Sequence, residues 1–244
     1  MLLKNLYDCL PGSIRRIVDD ERFKLGMPTM FGCIANLKRN GFVPNTIIDV
    51  GAYEGRWTQE VKSIYPAVPT LMVEANPDKE GLLTAVQKRL GSTVSVERAL
   101  LGATAQKDVT FYSMETGSSV MPEVTSVPRT PIRLDMQTLD DVASKAAVVG
   151  PLLVKLDVQG YELEVLRGSK RTLESTEVMV LELSLLEYNR GAPLAGRVLA
   201  EMGDLGYAIY DICGQHRRAA NRVLLQMDAI FVRESSPLRT SQRF

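Results

Sequence analysis

The chain has 244 residues, 45% of them apolar, with 29 basic and 29 acidic side chains. That length suits one large domain, or one domain with an appendage, and the apolar share can fill a sizeable core. The balanced charge gives no pull toward nucleic acid or an anionic membrane.

The residues up to about Arg39 read as helical. Thr29 can cap a helix in which Met30, Phe31, Ile34 and Leu37 recur at helical spacing, and Gly41 ends it. The opening run MLLKNLYDCLPG is cut by Lys4, Asp8 and Pro11, unlike a signal peptide. A regular alternation follows. TIIDV (46–50) is a short buried strand ending near an acid. Trp57, Val61 and Ile64 mark one face of a helix. TLMVE (70–74) is a second strand. Asn76-Pro77 supplies an N-cap and a proline at the first helical position, ahead of Leu82, Leu83, Val86 and Leu90. Strand TVSVE (93–97) and a β-like DVTFY (108–112) come next.

Residues 113–131, rich in Ser, Thr and Pro, read as a long functional or mobile loop, and Thr138 opens a capping box. Strand LLVKLD (152–157), a helix through 161–167, strand VMVLEL (178–183) and a helix near 194–205 complete the alternation. The longest apolar stretch, AAVVGPLLV, is broken by Gly150-Pro151 and stopped by Lys155, too short to span a bilayer. A cytoplasmic protein is expected.

Strands alternating with helices predict a doubly wound, mostly parallel α/β sheet. The final pair, GYAIYDI (206–212) and VLLQMDAIFV (223–232), has only the residues 213–222 between its strands, too few for a parallel crossover. An antiparallel hairpin is therefore expected at the end of the sheet, as in class I methyltransferases and unlike the usual NAD-binding arrangement.

Two facts prune the chemistry. His216 is the one histidine, and Cys9, Cys33 and Cys213 form no CxxC pair. Zinc centres are disfavoured, and the cysteines suit a reducing compartment. At the first strand-to-helix turn, Asp49, Gly51 and Gly55 form D-x-G-x-x-x-G rather than G-x-G-x-x-G. The glycines alone could serve only a tight turn. Glu74, however, closes the next strand 23 residues after Gly51, where an acid can accept hydrogen bonds from both ribose hydroxyls of an adenosine. Asp49 suits an ammonium group, and backbone N–H groups of Ala52, Tyr53 and the residues up to Gly55 suit a carboxylate. The turn therefore fits S-adenosylmethionine better than a pyrophosphate-bearing dinucleotide.

The ordered segments IIDVGAYEGRWT, LMVEANP, VERALLG, a Gly-Ser-Ser stretch, KLDVQGYELEVLRG, VLELS and YDI…MDAIFVR resemble the FkbM family of methyltransferases, from about Gly41 to about Arg233. The resemblance implies S-adenosylmethionine as methyl donor and O-methylation of a hydroxyl on a sugar, polyketide or other small acceptor. It implies a helical extension over 1–40 and a cofactor-binding methyltransferase domain over 41–244. It also implies that Asp49, Gly51, Glu74 and Ala99 line the cofactor, with Ala75 and Asn76 beside the adenosine. The family commonly carries Glu where this chain has Gln159, so the neutral side chain weighs against a strong carboxylate cluster at that turn.

A hydroxyl acceptor must lose its proton, so a base or a metal is needed near it. Asp157 and Glu182 end neighbouring strands and should face one crevice. Asp157 is read as a base, as a ligand of a divalent cation shared with Glu182, or as a structural partner of Lys155 or of the cofactor's ammonium group. Glu162 suits either a helix N-terminus or the substrate, and Glu164 reads as solvated. His216, placed in the hairpin loop beside Arg217 and Arg218, is a lesser base candidate. Ser118 and Ser119 can close over the cofactor or the acceptor, and Tyr188, Asn189 and Arg190 can touch the acceptor. Arg217, Arg218 and Arg222 favour an anionic acceptor or serve solvation. The partner expected is a small molecule, carbohydrates included, with no nucleic acid and no membrane insertion; oligomeric state is not legible. Two alternatives stand beside this reading: an NAD(P)-linked oxidoreductase, disfavoured by the glycine spacing, and a non-catalytic nucleotide-binding protein.

Overall fold

A computed structural model describes residues 28–124 and 127–240, with residues 10, 11, 14, 15, 17, 18, 21, 22, 25 and 26 ahead of them. The helical expectation for the other residues before 28, and Cys9, lie outside the described residues. Helix α1 (Met30–Arg39) starts where expected: the Thr29 side chain accepts a hydrogen bond from the Gly32 N–H at 3.1 Å.

Strand β1 (Thr46–Val50) lies at the centre of a seven-stranded sheet. Helix α2 (Arg56–Ile64), β2 (Thr70–Glu74), helix α3 (Glu80–Leu90) and β3 (Val94–Arg98) build one wing. Helix α4 (Leu139–Lys145) precedes the other wing. There β7 (Leu152–Leu156) is followed by helices α5 (Glu162–Arg167) and α6 (Lys170–Ser175) and by β8 (Thr176–Ser184). Helix α7 (Ala195–Asp204), β9 (Tyr207–Arg217) and β10 (Leu224–Arg233) close the chain.

The order is β3-β2-β1-β7-β8-β10-β9, parallel except that β10 runs antiparallel to both neighbours. The expected doubly wound sheet with a terminal hairpin is present. Its strand order reverses between β1 and β7, the switch point where ligands bind beyond the strands' carboxyl ends.

Period-two alternation sorts the core onto two faces. Ile48, Val50, Val154, Leu156, Leu181 and Phe231 pack one face, which α4 to α7 cover. Ile47, Leu153, Val178, Val180, Ile230 and Val232 pack the other, against Cys33, Ile34 and Leu37 of α1 and Val61 of α2. Each fully buried side chain of this size contributes about 1.5–3 kcal/mol. The parity has a chemical consequence. Asp49, Lys155, Glu182 and Asp228 all fall on the α1–α2 face, at the carboxyl end of the parallel strands.

Several expectations need correction. The stretch around 130–137 was not read as a strand, yet β6 (Thr130–Gln137) pairs with β5 (Gln106–Ser113) antiparallel and with β4 (Leu100–Leu101) in parallel, forming a second sheet over Leu100, Phe111 and Met136. Its polar residues face solvent and hid the strand. Among the described residues of the segment between β5 and β6, Ser119 pairs with Tyr112 as strands do, Glu123 pairs likewise with Asn189, and Arg129 Nε lies 3.1 Å from Glu123 Oε2. The break at Gly168 that starts α6 was also missed, and Leu82 is exposed rather than on the packed face of α3. Strand β9 runs past its expected end at Ile212 to Arg217, leaving only 218–223 before β10. Among the described residues no helix is long and apolar enough to cross a membrane.

Candidate active site

The β1–α2 turn is built to pass close under the end of β7. Gly51 has φ +72°, and a β-carbon there would lie 1.9 Å from the Asp157 carbonyl oxygen. Gly55 (φ +71°) packs against Met72, Leu83 and Val86. Between them Tyr53, at φ 51°, aims its N–H at Glu74 Oε2 (2.8 Å), while the Asn76 N–H reaches Glu74 Oε1 (2.8 Å). Burial pushes the Glu74 carboxyl above the usual carboxylate range, and those backbone donors act against it. The Asn76 side chain in turn accepts from the Asp78 N–H at 3.1 Å, capping the next turn as expected.

A cleft opens above this turn. Of the residues expected at the cofactor, Gly51, Tyr53, Glu74, Ala75, Asn76, Ala99, Ser118 and Asp157 line it. Leu100, Phe111, Val158, Gln159 and Tyr161, which had not been assigned there, line it too. Asp49, Ala52 and Gly55 sit behind it. Three backbone donors of the turn are engaged within it. Ala52 N–H bonds the Val73 carbonyl, Gly55 N–H bonds the Ala52 carbonyl, and Tyr53 N–H is on Glu74. Over the cleft, Ser118 Oγ binds both the N–H and the carbonyl of Met114 and so folds its own loop. Glu115 meets Tyr53 Oη (3.2 Å) and Lys79 Nζ (2.9 Å).

Beside the cleft lies a run of charge. Asp49 is fully buried and accepts from Thr58 Oγ1 at 2.7 Å. Lys155 Nζ lies 3.3 Å from Asp49 Oδ1 and 3.3 Å from Asp157 Oδ2. Burial alone would depress the Lys155 ammonium, but the charges of Asp157 and Asp49 outweigh it and hold it above its ordinary value. Asp49 is therefore an anchor for Lys155 instead of a cleft-lining ammonium partner.

Gln159 Nε2 donates to Asp157 Oδ1 at 2.7 Å and to Glu182 Oε1 at 3.2 Å, and Gln226 Nε2 adds 2.7 Å to the same Glu182 oxygen. Burial first, then the charges of Asp157, Asp228 and Glu162, push the Glu182 carboxyl up to about 9. At neutral pH it holds its proton, which counts against Glu182 as a base. Glu162 accepts from the Val158 and Gly160 N–H groups, each at 3.1 Å, and burial pushes it up to about 7. It orders the turn, and Glu164 pairs with Arg167.

Two acids, Asp157 and Glu182, therefore meet at the Gln159 amide, and Asp228 and Glu162 add negative charge at Glu182. An amide N–H stands between Asp157 and Glu182, where a shared cation would need their lone pairs. Among the described residues no group of three or more His, Cys, Asp or Glu side chains is placed to hold a metal ion. His216 corrects its own expectation: it lies inside β9, exposed, opposite Gln226 and two strands from Glu182. Asn189 reaches the site from the loop after β8, donating to the Gln159 carbonyl at 2.6 Å.

The Methyltransferase FkbM domain model matches residues 49–209. The chain belongs to the FkbM methyltransferase family. Hexuronic acid methyltransferase AglP of Haloferax volcanii is 30% identical over 112 residues, which cover 45% of this chain and 45% of that protein. The match thus spans about half the length of that curated relative. Three solved structures are similar to the chain at the following levels. An O-methyltransferase family protein from Burkholderia thailandensis has a TM-score of 0.48 at 14% identity, covering 91% of this chain and 60% of its own. Precorrin-6y C5,15-methyltransferase from Geobacter metallireducens has 0.46 at 14%, covering 83% and 86%. A SAM dependent methyltransferase from Aquifex aeolicus has 0.41 at 14%, covering 91% and 100%.

The sheet of this FkbM methyltransferase is the class I arrangement, and membership in the family decides against the oxidoreductase alternative. The matched segment contains Asp49, Glu74, Asp157, Gln159 and Glu182 but ends before Gln226 and Asp228. Those two, which sequence reasoning missed, reach the acid row only through the antiparallel pairing of β10 on β8, where Asp228 lies opposite Glu182. Only that register could have flagged them.

Proposed function

We propose that this FkbM methyltransferase transfers a methyl group from S-adenosylmethionine to a hydroxyl of a small, carbohydrate-like acceptor, with Asp157 as the base. The observation that carries this reading is one cleft with Glu74 anchored at one side and Asp157 at the other. Backbone N–H groups of Tyr53, Asn76 and Ala75 hold the Glu74 carboxylate, and of its roughly four lone-pair sites one stays open, which suits a ribose hydroxyl. Leu100 and Phe111 supply apolar walls for a purine. When bound, the donor brings a methyl group already activated by its sulfonium. The protein's part is then to orient the acceptor and to take its proton.

Asp157 is fitted for that part. It lines the cleft, the Lys155 cation faces one of its oxygens and the Gln159 amide the other. The protonated Glu182 beside it is suited to donating a hydrogen bond to an acceptor oxygen. The carbohydrate class is supported by the printed activity of the Haloferax relative.

Two measurements test the reading. Adenosylhomocysteine should raise the melting temperature and NAD should not; absence of a shift with adenosylhomocysteine overturns the cofactor assignment. On an acceptor found by screening sugars and uronic acids, Asp157→Asn should lower turnover by about a hundredfold or more. Its adenosylhomocysteine affinity should stay near that of the wild type. Undiminished turnover removes Asp157 as the base.

A further inference from the structure

Gln159 is held more tightly than a turn residue needs to be. Its φ of 54° places a non-glycine residue in the left-handed region. Conformations of that kind persist where the surroundings over-determine them. Here the Gln159 carbonyl accepts from Ser119 Oγ at 3.0 Å on one side and from Asn189 Nδ2 at 2.6 Å on the other. Ser119 and Asn189 are both buried, and they come from loops about seventy residues apart in the chain. With the backbone clamped from two sides, the side chain has one direction to take. Its single –NH2 group lies between Asp157 Oδ1 and Glu182 Oε1.

We propose that Gln159 is the positioning residue of the acid pair: its carboxamide holds the Asp157 carboxylate oriented and charged to accept a proton, and lets Glu182 sit beside it carrying one. This rests on the reading of Asp157 as the base, and deepens it.

The reason is electrostatic. Two carboxyl groups in one poorly solvated crevice share protons unless a donor stands between them. Among the described residues, charged groups face this pair from several elements. Lys155 on β7 meets Asp157, with Asp49 on β1 behind it. Asp228 on β10 and Glu162 on α5 add negative charge, and Gln226 on β10 adds a neutral donor to Glu182. Tyr188, in the loop after β8, faces Glu182, and Arg218, in the turn after β9, faces Tyr188. The Lys155 cation reaches Asp157 on Oδ2, and the Gln159 amide is the group that touches both acids. Removing it takes a hydrogen bond from the charged form of Asp157. Replacing it with Glu adds a further like charge. Both changes favour protonation of the pair. The same residue ties the pair to the loop over the cleft, since Ser119 is hydrogen-bonded to its carbonyl and Gly117 faces its side-chain oxygen.

The test uses full-length protein saturated with adenosylhomocysteine and needs no acceptor. Side-chain carboxyl resonances are followed by carbon-13 NMR through a pH titration, for the wild type, Gln159→Leu and Gln159→Glu, with Asp157→Asn to assign the pair. The first macroscopic midpoint of the pair should move up by about one pH unit in Gln159→Leu and by more in Gln159→Glu. Far-UV circular dichroism and the urea midpoint, which report folding, should show both variants folded. Unmoved titration midpoints in both folded variants overturn the proposal. They leave Asp157 as the base, which stands or falls separately on the turnover of Asp157→Asn.

Discussion

Replacing Gly51 with Ala tests the architecture of the site at a single atom. The added β-carbon would sit 1.9 Å from the Asp157 carbonyl oxygen, whereas real β-carbons essentially never come within 3.0 Å, so the β1–α2 turn and the end of β7 must part by 3.0 − 1.9 = 1.1 Å. Neither side is a flexible side chain. The obstacle is backbone, and Asp157 N–H is itself bonded to the Val50 carbonyl at 3.1 Å.

Three costs add. A left-handed conformation costs an L-residue about 1–2 kcal/mol. Forcing a methyl into a packed site costs about 1–3 kcal/mol. Losing the strand-end hydrogen bond costs about 1 kcal/mol. The total is about 3–6 kcal/mol, a large part of the stability of an ordinary domain. Gly41 is the control, because at φ +92° it has nothing within 4 Å of the β-carbon position, so Gly41→Ala should show the conformational cost alone. Urea denaturation of both variants and the wild type reads the difference directly. Adenosylhomocysteine affinity should fall in Gly51→Ala and hold in Gly41→Ala. Equal losses in the two variants, or a Gly51→Ala loss under about 1 kcal/mol, would refute the close approach of the turn to β7.

Other outcomes follow from the same geometry. Glu162 is raised from 4.5 to about 7 in the fold, so its contribution to stability is full below pH 4.5 and is lost as pH rises through 7. Glu162→Gln should therefore lose about 2–3 kcal/mol less than the wild type between pH 5 and pH 8, read by denaturant melts at the two values; parallel pH profiles would contradict the burial of that carboxyl. Glu74→Gln puts an amide donor against one of the N–H groups of Tyr53 and Asn76. It should weaken adenosylhomocysteine about ten- to a hundredfold by calorimetry, with a smaller effect on the melting temperature, and unaltered affinity would remove Glu74 from the cofactor site. Phe231, almost wholly buried in β10, should cost about 3–5 kcal/mol as Phe231→Ala, since β10 holds the hairpin to the rest of the sheet; a loss under 1 kcal/mol would show that the hairpin is not part of the cooperative core.

The alternation of buried strands with helices was readable from Asn45 to Gly206, because each strand on both faces of a parallel sheet is a short continuous apolar run. Thr29, Asn76 and Thr138 announced their helix starts through side chains that bond within three residues. The acids at strand ends were legible for the same local reason. Of the small sheet only β5 was, as the β-like DVTFY (108–112); β4 and β6 were not. Strands β5 and β6 are largely exposed, and β4 has two residues. They exist by pairing with one another, so composition at 113–131 pointed to a loop.

Within the site, Gly51, Glu74 and Asp157 could be picked from spacing, and the pairing of Lys155 with Asp157 from their shared strand face, whereas the roles of Gln159, Gln226 and Asp228 could not. The chain by itself determined the elements of the main sheet and their order, and placed Asp157 among the candidate acids, because propensity, periodicity and capping act within a few residues. Tertiary structure alone decided which acids meet. Asp157, Glu182 and Asp228 come from three strands, and whether they share a face depends on register, in which a slip of one residue would turn any of them to the other side. Burial, also a property of the assembled sheet, then leaves Glu182 with a proton and makes a neutral glutamine the donor between the two carboxyls.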